Sequence, residues 1–302
     1  MKRGKMKIGL VDVDGHNFPN LCLMKLSAWH KANGDEVEFA IPLMQYDRIY
    51  MARVFNDIYT HDDLTAYQCD EIIKGGTGYG LEKTLPNEIE QMFPDYSLYG
   101  ITDTAYGFLT RGCPRHCPFC IVGDKEGLVS RKVANLSQFW NGQKNIKLLD
   151  PNILASADHI DLLEQLADSK ALVDFTQGLD ARMLTDENID VLKRIRIKRI
   201  HFAWDNPKDK TVPKALEMFS EKYGLNPKAH NVVVYLLTNY WSTHQQDLER
   251  VQWLREHFFV PYVMIYNKPS APRETRLLQR WVNNKIVFNK VKTFDEFDSK
   301  KA

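Results

Sequence analysis

Three of the chain's five cysteines fall within eight residues: Cys113, Cys117 and Cys120, in the stretch TRGCPRHCPFCIVGDKEG. Thiolates spaced this closely can converge on one inorganic centre while the backbone curls around it. Their number is informative. A structural zinc site closes with four ligands, whereas an iron–sulfur cube held by three cysteines leaves one iron open to another molecule. Two plainer readings stand beside this one. His116 could complete a zinc site, although it adjoins Cys117 and neighbouring side chains rarely both turn inward, and Cys22 or Cys69 could return as a fourth ligand. The cysteines could also be unligated on a loop. An odd cysteine count in a reducing compartment favours metal or catalytic chemistry over a disulfide framework.

The elements that must position this loop follow from periodicity. Up to about residue 95 the chain reads as a small α/β unit. KIGLVDV is a buried-strand run, and Pro19-Asn20 opens a helix with Leu21, Met24, Ala28 and Trp29 along one side, closed by Gly34. EVEFAIP and RIYMARVF read as further strands, and DEIIKGGTGYG as a strand entering a glycine-rich turn. Strand, helix, strand implies a parallel, Rossmann-like sheet. From about residue 96 six strands are expected: TAYGFLT (104–110), IKLLD (146–150), ALVDF (171–175), KRIHFA (198–203), NVVVYLL (231–237) and PYVMIY (261–266). Helical patterns separate most of them, with Thr185 as one cap and Thr243 with Gln246 at capping-box spacing. Six β/α units suggest an α/β parallel barrel or partial barrel, with chemistry at the C-terminal ends of its strands.

Here the chain resembles a family. CPRHCPFC matches the CxxxCxφC signature of radical S-adenosylmethionine (radical SAM) enzymes, with Phe119 as the aromatic, and the motif follows the first strand of the six-unit series. The resemblance covers about residues 100–270. It implies a partial (β/α)6 TIM-like barrel at 96–270, preceded by a Rossmann-like domain at 1–95 and followed by a C-terminal extension at 271–302. It also implies a 4Fe-4S cluster on the catalytic cysteines Cys113, Cys117 and Cys120. The open iron would be chelated by the amino and carboxylate groups of S-adenosylmethionine (SAM). An electron from the cluster would cleave the sulfonium, and the 5′-deoxyadenosyl radical would abstract a substrate hydrogen. A one-electron reductase such as a flavodoxin is implied as partner.

Residues to hold the nucleoside are expected at the strand ends. The family's second strand ends in a segment, usually GGE, that receives the SAM amino group; this chain has LLDPN, putting Asp150 and Asn152 there, where Asp150-Pro151 also reads as a turn cap. After the third strand, Gln177, Asp180 and Arg182 cluster in DFTQGLDARMLT, and Asp180 and Arg182 either pair with each other or hold the SAM carboxylate. Asp205, ending the fourth strand, stands where similar proteins place an acidic residue near the ribose, and a carboxylate suits paired hydroxyls. Thr238, Asn239, Tyr266 and Asn267 qualify by position alone.

A Rossmann-like unit before such a barrel is like the cobalamin-dependent branch of the family, and cobalamin with methyl transfer is one expectation. The matching signals are partial. Asp14 to Pro19 gives DxHxxP where relatives have DxHxxG, Ala52 replaces a serine, and Gly75-Gly76 supplies the last turn. His16 could coordinate cobalt, or be a helix-cap or surface histidine. The departures read as a degenerate cobalamin-binding-like domain kept for packing or substrate recognition.

Composition bounds the rest. A formal charge of +1 argues against a polyelectrolyte surface for nucleic acid, and the run KRIRIKRI (193–200) reads as solvated surface. No apolar run approaches a membrane span, so a cytoplasmic protein is expected. The tail residues Lys268, Arg273, Arg276, Arg280 and Trp281 are placed at the barrel mouth, against an anionic substrate. The competing function is a non-catalytic binding module whose metal or cluster staples the loop.

Overall fold

A computed structural model describes residues 4–15, 18–63, 65–225, 228 and 230–297. Its first sheet contains β1 (Lys7–Asp12), β2 (Glu36–Phe39), β3 (Gln45–Ala52) and β4 (Gln68–Gly75), all parallel, in the order β2-β1-β3-β4. Helix α1 (Leu21–Ala32) starts at Asn20, whose side chain accepts from the backbone N–H of Cys22 and Leu23. Those donors would otherwise be orphaned at the helix start. The helix is a wedge between two cores: Leu23 and Leu26 pack on the first sheet, Leu21 and Met24 on the second.

The chain passes from β2 to β3 through residues 40–44 alone, where parallel strands usually need a crossover of a dozen residues or more. The segment runs back across the face of the sheet. Gly9 permits its approach, because a Cβ there would stand 3.0 Å from both Ala40 Cβ and Ile49 Cγ1. The strand expected from Arg48 to Phe55 stops at Ala52. The backbone N–H groups of Val54 and Phe55 turn instead to the buried Asp14 carboxylate, at 2.8 and 2.7 Å.

After α2 (Asn87–Glu90) come β5 (Thr104–Gly107), β6 (Thr110–Arg111), α3 (Val122–Glu126), β7 (Arg131–Lys132) and β8 (Asn145–Leu148). Then follow α4 (His159–Ser169), β9 (Leu172–Leu179), α5 (Asp186–Arg194), β10 (Ile197–Ala203), α6 (Thr211–Tyr223), β11 (Val232–Thr238), α7 (His244–Glu256), β12 (Val260–Ile265), α8 (Arg273–Asn283) and α9 (Lys285–Lys290). The caps expected at Thr185 and Thr243 both form, each in a capping box.

The second sheet is six-stranded and parallel, in sequential order β5-β8-β9-β10-β11-β12. Right-handed crossovers taken in this order put the connecting helices on one face. Ile146, Leu148, Val173, Phe175, Ile200 and Phe202 form the buried seam beneath them. The strand pairing stays open between β5 and β12, so the architecture is α/β with two parallel sheets.

Two expectations change. The strand read over 104–110 breaks, because Gly107 lies under the Phe139 ring and the N–H groups of Leu109 and Thr110 turn to Asp150; Thr110–Arg111 then pairs antiparallel with Arg131–Lys132. The tail does not present Trp281 to a substrate. Trp281 is 2% exposed in the core, and α8 seals the outer edge of β12: Asn283 accepts from Val263 N at 2.8 Å and donates to Val263 O at 3.0 Å. Unpaired edge groups would otherwise invite aggregation. No helix among the described residues is long and apolar enough to cross a membrane.

Candidate functional site

The cysteine loop leaves β6 at Gly112 and returns at Gly127, both with left-handed φ (91° and 92°). At Gly112 only a glycine fits, since a Cβ would stand 2.2 Å from the Val129 carbonyl oxygen. Cys113 N donates to Gly127 O at 3.1 Å, pinching the neck, and Cys120 N donates to Cys117 O at 2.9 Å within the loop. Glu126 accepts from Gly112 N at 3.1 Å and pairs with Arg111 at 2.8 Å. Cys113 and Cys117 are half-buried and Cys120 is exposed. Among the described residues no three His, Cys, Asp or Glu side chains are grouped closely enough to hold one metal ion.

An ion-pair network ties this loop to the strand ends. Arg115, inside the motif, places Nε 2.5 Å from Asp180 Oδ2, while Arg182 Nε lies 2.7 Å from Asp180 Oδ1. Arg182 also reaches Asp209 at 3.4 Å. Burial alone would push the Asp180 carboxyl up, but the two guanidiniums outweigh it and hold it below the usual range. Of the two readings of Arg182, the pair with Asp180 is what forms; a ligand carboxylate would have to share that guanidinium. Arg115 was missed from sequence. Its one signal was a cation between two cysteines, and nothing local says that its partner follows β9.

Asp205, after β10, faces the same loop. Burial pushes the Cys117 thiol up, and the negative fields of Asp205, Cys120 and Cys113 add to this against Arg182. Burial also raises the Asp205 carboxyl, with Arg250 opposing. Arg250 of α7, which sequence reasoning also missed, is buried under the strand ends. It donates to the carbonyls of Trp204, Asp205 (3.1 Å) and Leu237 (3.0 Å) and pairs with Asp247 at 2.5 Å. It holds the ends of β10 and β11 together.

The other expected residues divide. Asn152 is 2% exposed, with Nδ2 3.5 Å from Cys113 Sγ and Oδ1 without a partner, so it lies against the cysteines. Asp150 is turned elsewhere. Its carboxylate accepts from Leu109 N at 3.1 Å, Thr110 N at 2.5 Å and Thr110 Oγ1 at 2.7 Å, and burial pushes its pKa up to about 6. It fastens the end of β8 to the chain after β5, a long-range tie and not the local turn cap that Asp150-Pro151 suggested. Phe119 packs edge-on to Tyr240 and Trp241, each at 5.5 Å, at the end of β11. Gln177 is exposed on β9. Thr238 donates to Met264 O and Asn239 to Tyr266 O, so both tie β11 to β12.

No protein-family model matches the chain, and no curated protein matches it in sequence. Among solved structures it is similar to a radical S-adenosylmethionine methyltransferase, TsrM, from Kitasatospora setae, in a structure with cobalamin and a [4Fe-4S] cluster bound. The TM-score is 0.64 at 10% identity, over 87% of this chain and 75% of that one. The likeness is one of fold.

The donor set of the cysteine loop, three thiols on one pinned segment with Asn152 N–H against one sulfur, is of the kind that holds a three-thiolate cluster, with the thiols spread more widely than a single metal ion would need. The C-terminal end of the first sheet is closely built. The glycine turn after β4 is packed on the backbone after β3, since Cβ atoms at Gly76 and Gly78 would stand 2.3 and 2.2 Å from the carbonyl oxygens of Arg53 and Phe55. Thr77 Oγ1 donates to Val54 O, and Arg53 donates to Gly78 O, Asp57 and Asp62. The ends of β3 and β4 are thereby knitted to one another. His16 lies outside the described residues.

Proposed function

We propose that the chain is a radical SAM enzyme, with Cys113, Cys117 and Cys120 as the ligands of a 4Fe-4S cluster. When bound, that cluster supplies the electron that cleaves SAM to methionine and a 5′-deoxyadenosyl radical able to take a hydrogen from an unactivated C–H bond. The observation that carries the reading is the placement of three thiols on one pinned loop, at the C-terminal end of a sequential six-stranded parallel sheet.

The protein's own residues have distinct tasks. Arg115 and Asp180 orient the loop. Asn152 donates toward the Cys113 sulfur. Asp205, kept near the loop by Arg250, is the acceptor for sugar hydroxyls, and Phe119 with Tyr240 and Trp241 forms an apolar wall for a base. The four-stranded unit acts here as packing and substrate wall, without cobalamin. A one-electron reductase of flavodoxin type is the partner in this reading, and 1–95, 96–270 and 271–302 are its units.

Anaerobic reconstitution tests the proposal. Four irons and four sulfides per chain are expected, with 5′-deoxyadenosine formed from SAM under dithionite, no corrinoid retained, and both cluster and product lost in Cys113→Ala. Stoichiometric zinc without iron or sulfide would sink it. The alternative, a stapled binding module, requires that SAM give no heat in a calorimetric titration.

A further inference from the structure

The face of the larger sheet away from its helices is exposed toward β12 and buried around Tyr106, Asp174 and His201. In mid-strand, Tyr262 and Met264 are 43% and 46% exposed on it, and Ala203 of β10 is exposed as well. Strand pairing sets Tyr106, Lys147, Asp174 and Arg199 in one row across β5, β8, β9 and β10. His201 stands two residues beyond Arg199 toward the cysteine loop, hence on the same face.

Asp174 is 9% exposed, and its Oδ1 has no hydrogen-bond partner among the described residues. A buried carboxylate without donors is costly, and its cross-strand cations do not relieve it. The Lys147 ammonium lies over the rings of Phe18 and Tyr106, at 5.2 and 5.4 Å, and Arg199 forms no ion pair with Asp174 among the described residues. His201 is a second acceptor. Its Nδ1 is 2.9 Å from Phe175 O, which can only accept, so Nδ1 carries the proton. Burial lowers the ring's pKa, leaving it neutral with the Nε2 lone pair free. The ring is stacked on Tyr235 at 4.9 Å and 7°, and Tyr235 meets Tyr262 edge-on.

We propose that this face binds a neutral planar heterocycle whose edge offers adjacent N–H donors, of the 2-amino-4-oxo pyrimidine type found in guanine, with Asp174 and His201 as acceptors and the tyrosine rings as walls. A guanidinium would offer similar donors, but Lys147 and Arg199 repel a cation, whereas ring oxygens and nitrogens on a neutral heterocycle accept from them. That this ligand is the substrate rests on the radical SAM reading; that it binds rests on the sheet face alone.

The test titrates guanosine, inosine (which lacks the exocyclic amine) and N-acetylarginine amide into the full chain by calorimetry. Guanosine is expected to bind at least tenfold tighter than inosine, and Asp174→Asn to erase that difference. If Asp174→Asn does not fold by circular dichroism, Tyr235→Leu is read instead. It should weaken both nucleosides together and keep their ratio. Equal binding of guanosine and inosine, tighter binding of the arginine amide, or no heat from guanosine at several millimolar overturns the proposal. SAM cleavage is measured separately. Discrimination without cleavage supports this site and removes the radical reading, whereas cleavage without discrimination does the reverse.

Discussion

Arg115, two residues past Cys113, meets Asp180 after β9 at 2.5 Å, across 65 residues of sequence. One carboxylate, shared with Arg182, thereby fixes where the thiols stand relative to the sheet.

That pair predicts a pH signature. The Asp180 carboxyl is held below its usual range in the folded protein, so its contribution is fully present above the unfolded value, about 3.9. It is lost as pH falls below that value through the lower folded pKa. Asp180→Asn should therefore cost about 1–3 kcal/mol at pH 7 and less at pH 3. Urea denaturation at both pH values checks this, and the same cost at each would contradict the assignment.

The neck of the loop predicts a graded glycine series. Gly34 and Gly112 both have left-handed φ, but a Cβ at Gly34 meets nothing within 4 Å, whereas one at Gly112 strikes the Val129 carbonyl. Gly34→Ala should cost about 1 kcal/mol. Gly112→Ala should cost on the order of 3 kcal/mol or more and lower iron incorporation. Thermal melting and iron analysis separate the two.

Removing Arg250 strands a buried carboxylate. Arg250→Met should destabilise the fold by about 3–5 kcal/mol, because Asp247, 2% exposed, loses its charged partner. Adding Asp247→Leu should recover part of that loss in the same denaturation assay. A double variant no better than the single would show that the carbonyl contacts to Trp204 and Leu237 dominate.

Asn152 gives a spectroscopic prediction. With its amide against Cys113 Sγ, Asn152→Ala should leave iron content unchanged while shifting the reduction potential or the paramagnetic resonance spectrum of the reduced centre. An unaltered spectrum would reduce Asn152 to a packing residue.

The sequence by itself determined what is local. Alternating and helical periodicity located the strands and most helices to within a few residues, and Asn20, Thr185 and Thr243 announced their helices because a cap is a contact over two or three residues. The cysteine spacing was equally legible. What only the tertiary structure decided is which strand ends meet. Asp150 reads from sequence as a nucleoside ligand or a turn cap, and only the pairing of β8 with β5 puts it under the N–H groups of Leu109 and Thr110. Arg115, Arg250 and Asp174 acquire meaning only through partners, or a missing partner, brought by neighbouring strands and the helix packed on them. Charge interactions of this kind depend on distance in space, and a linear pattern carries no record of it.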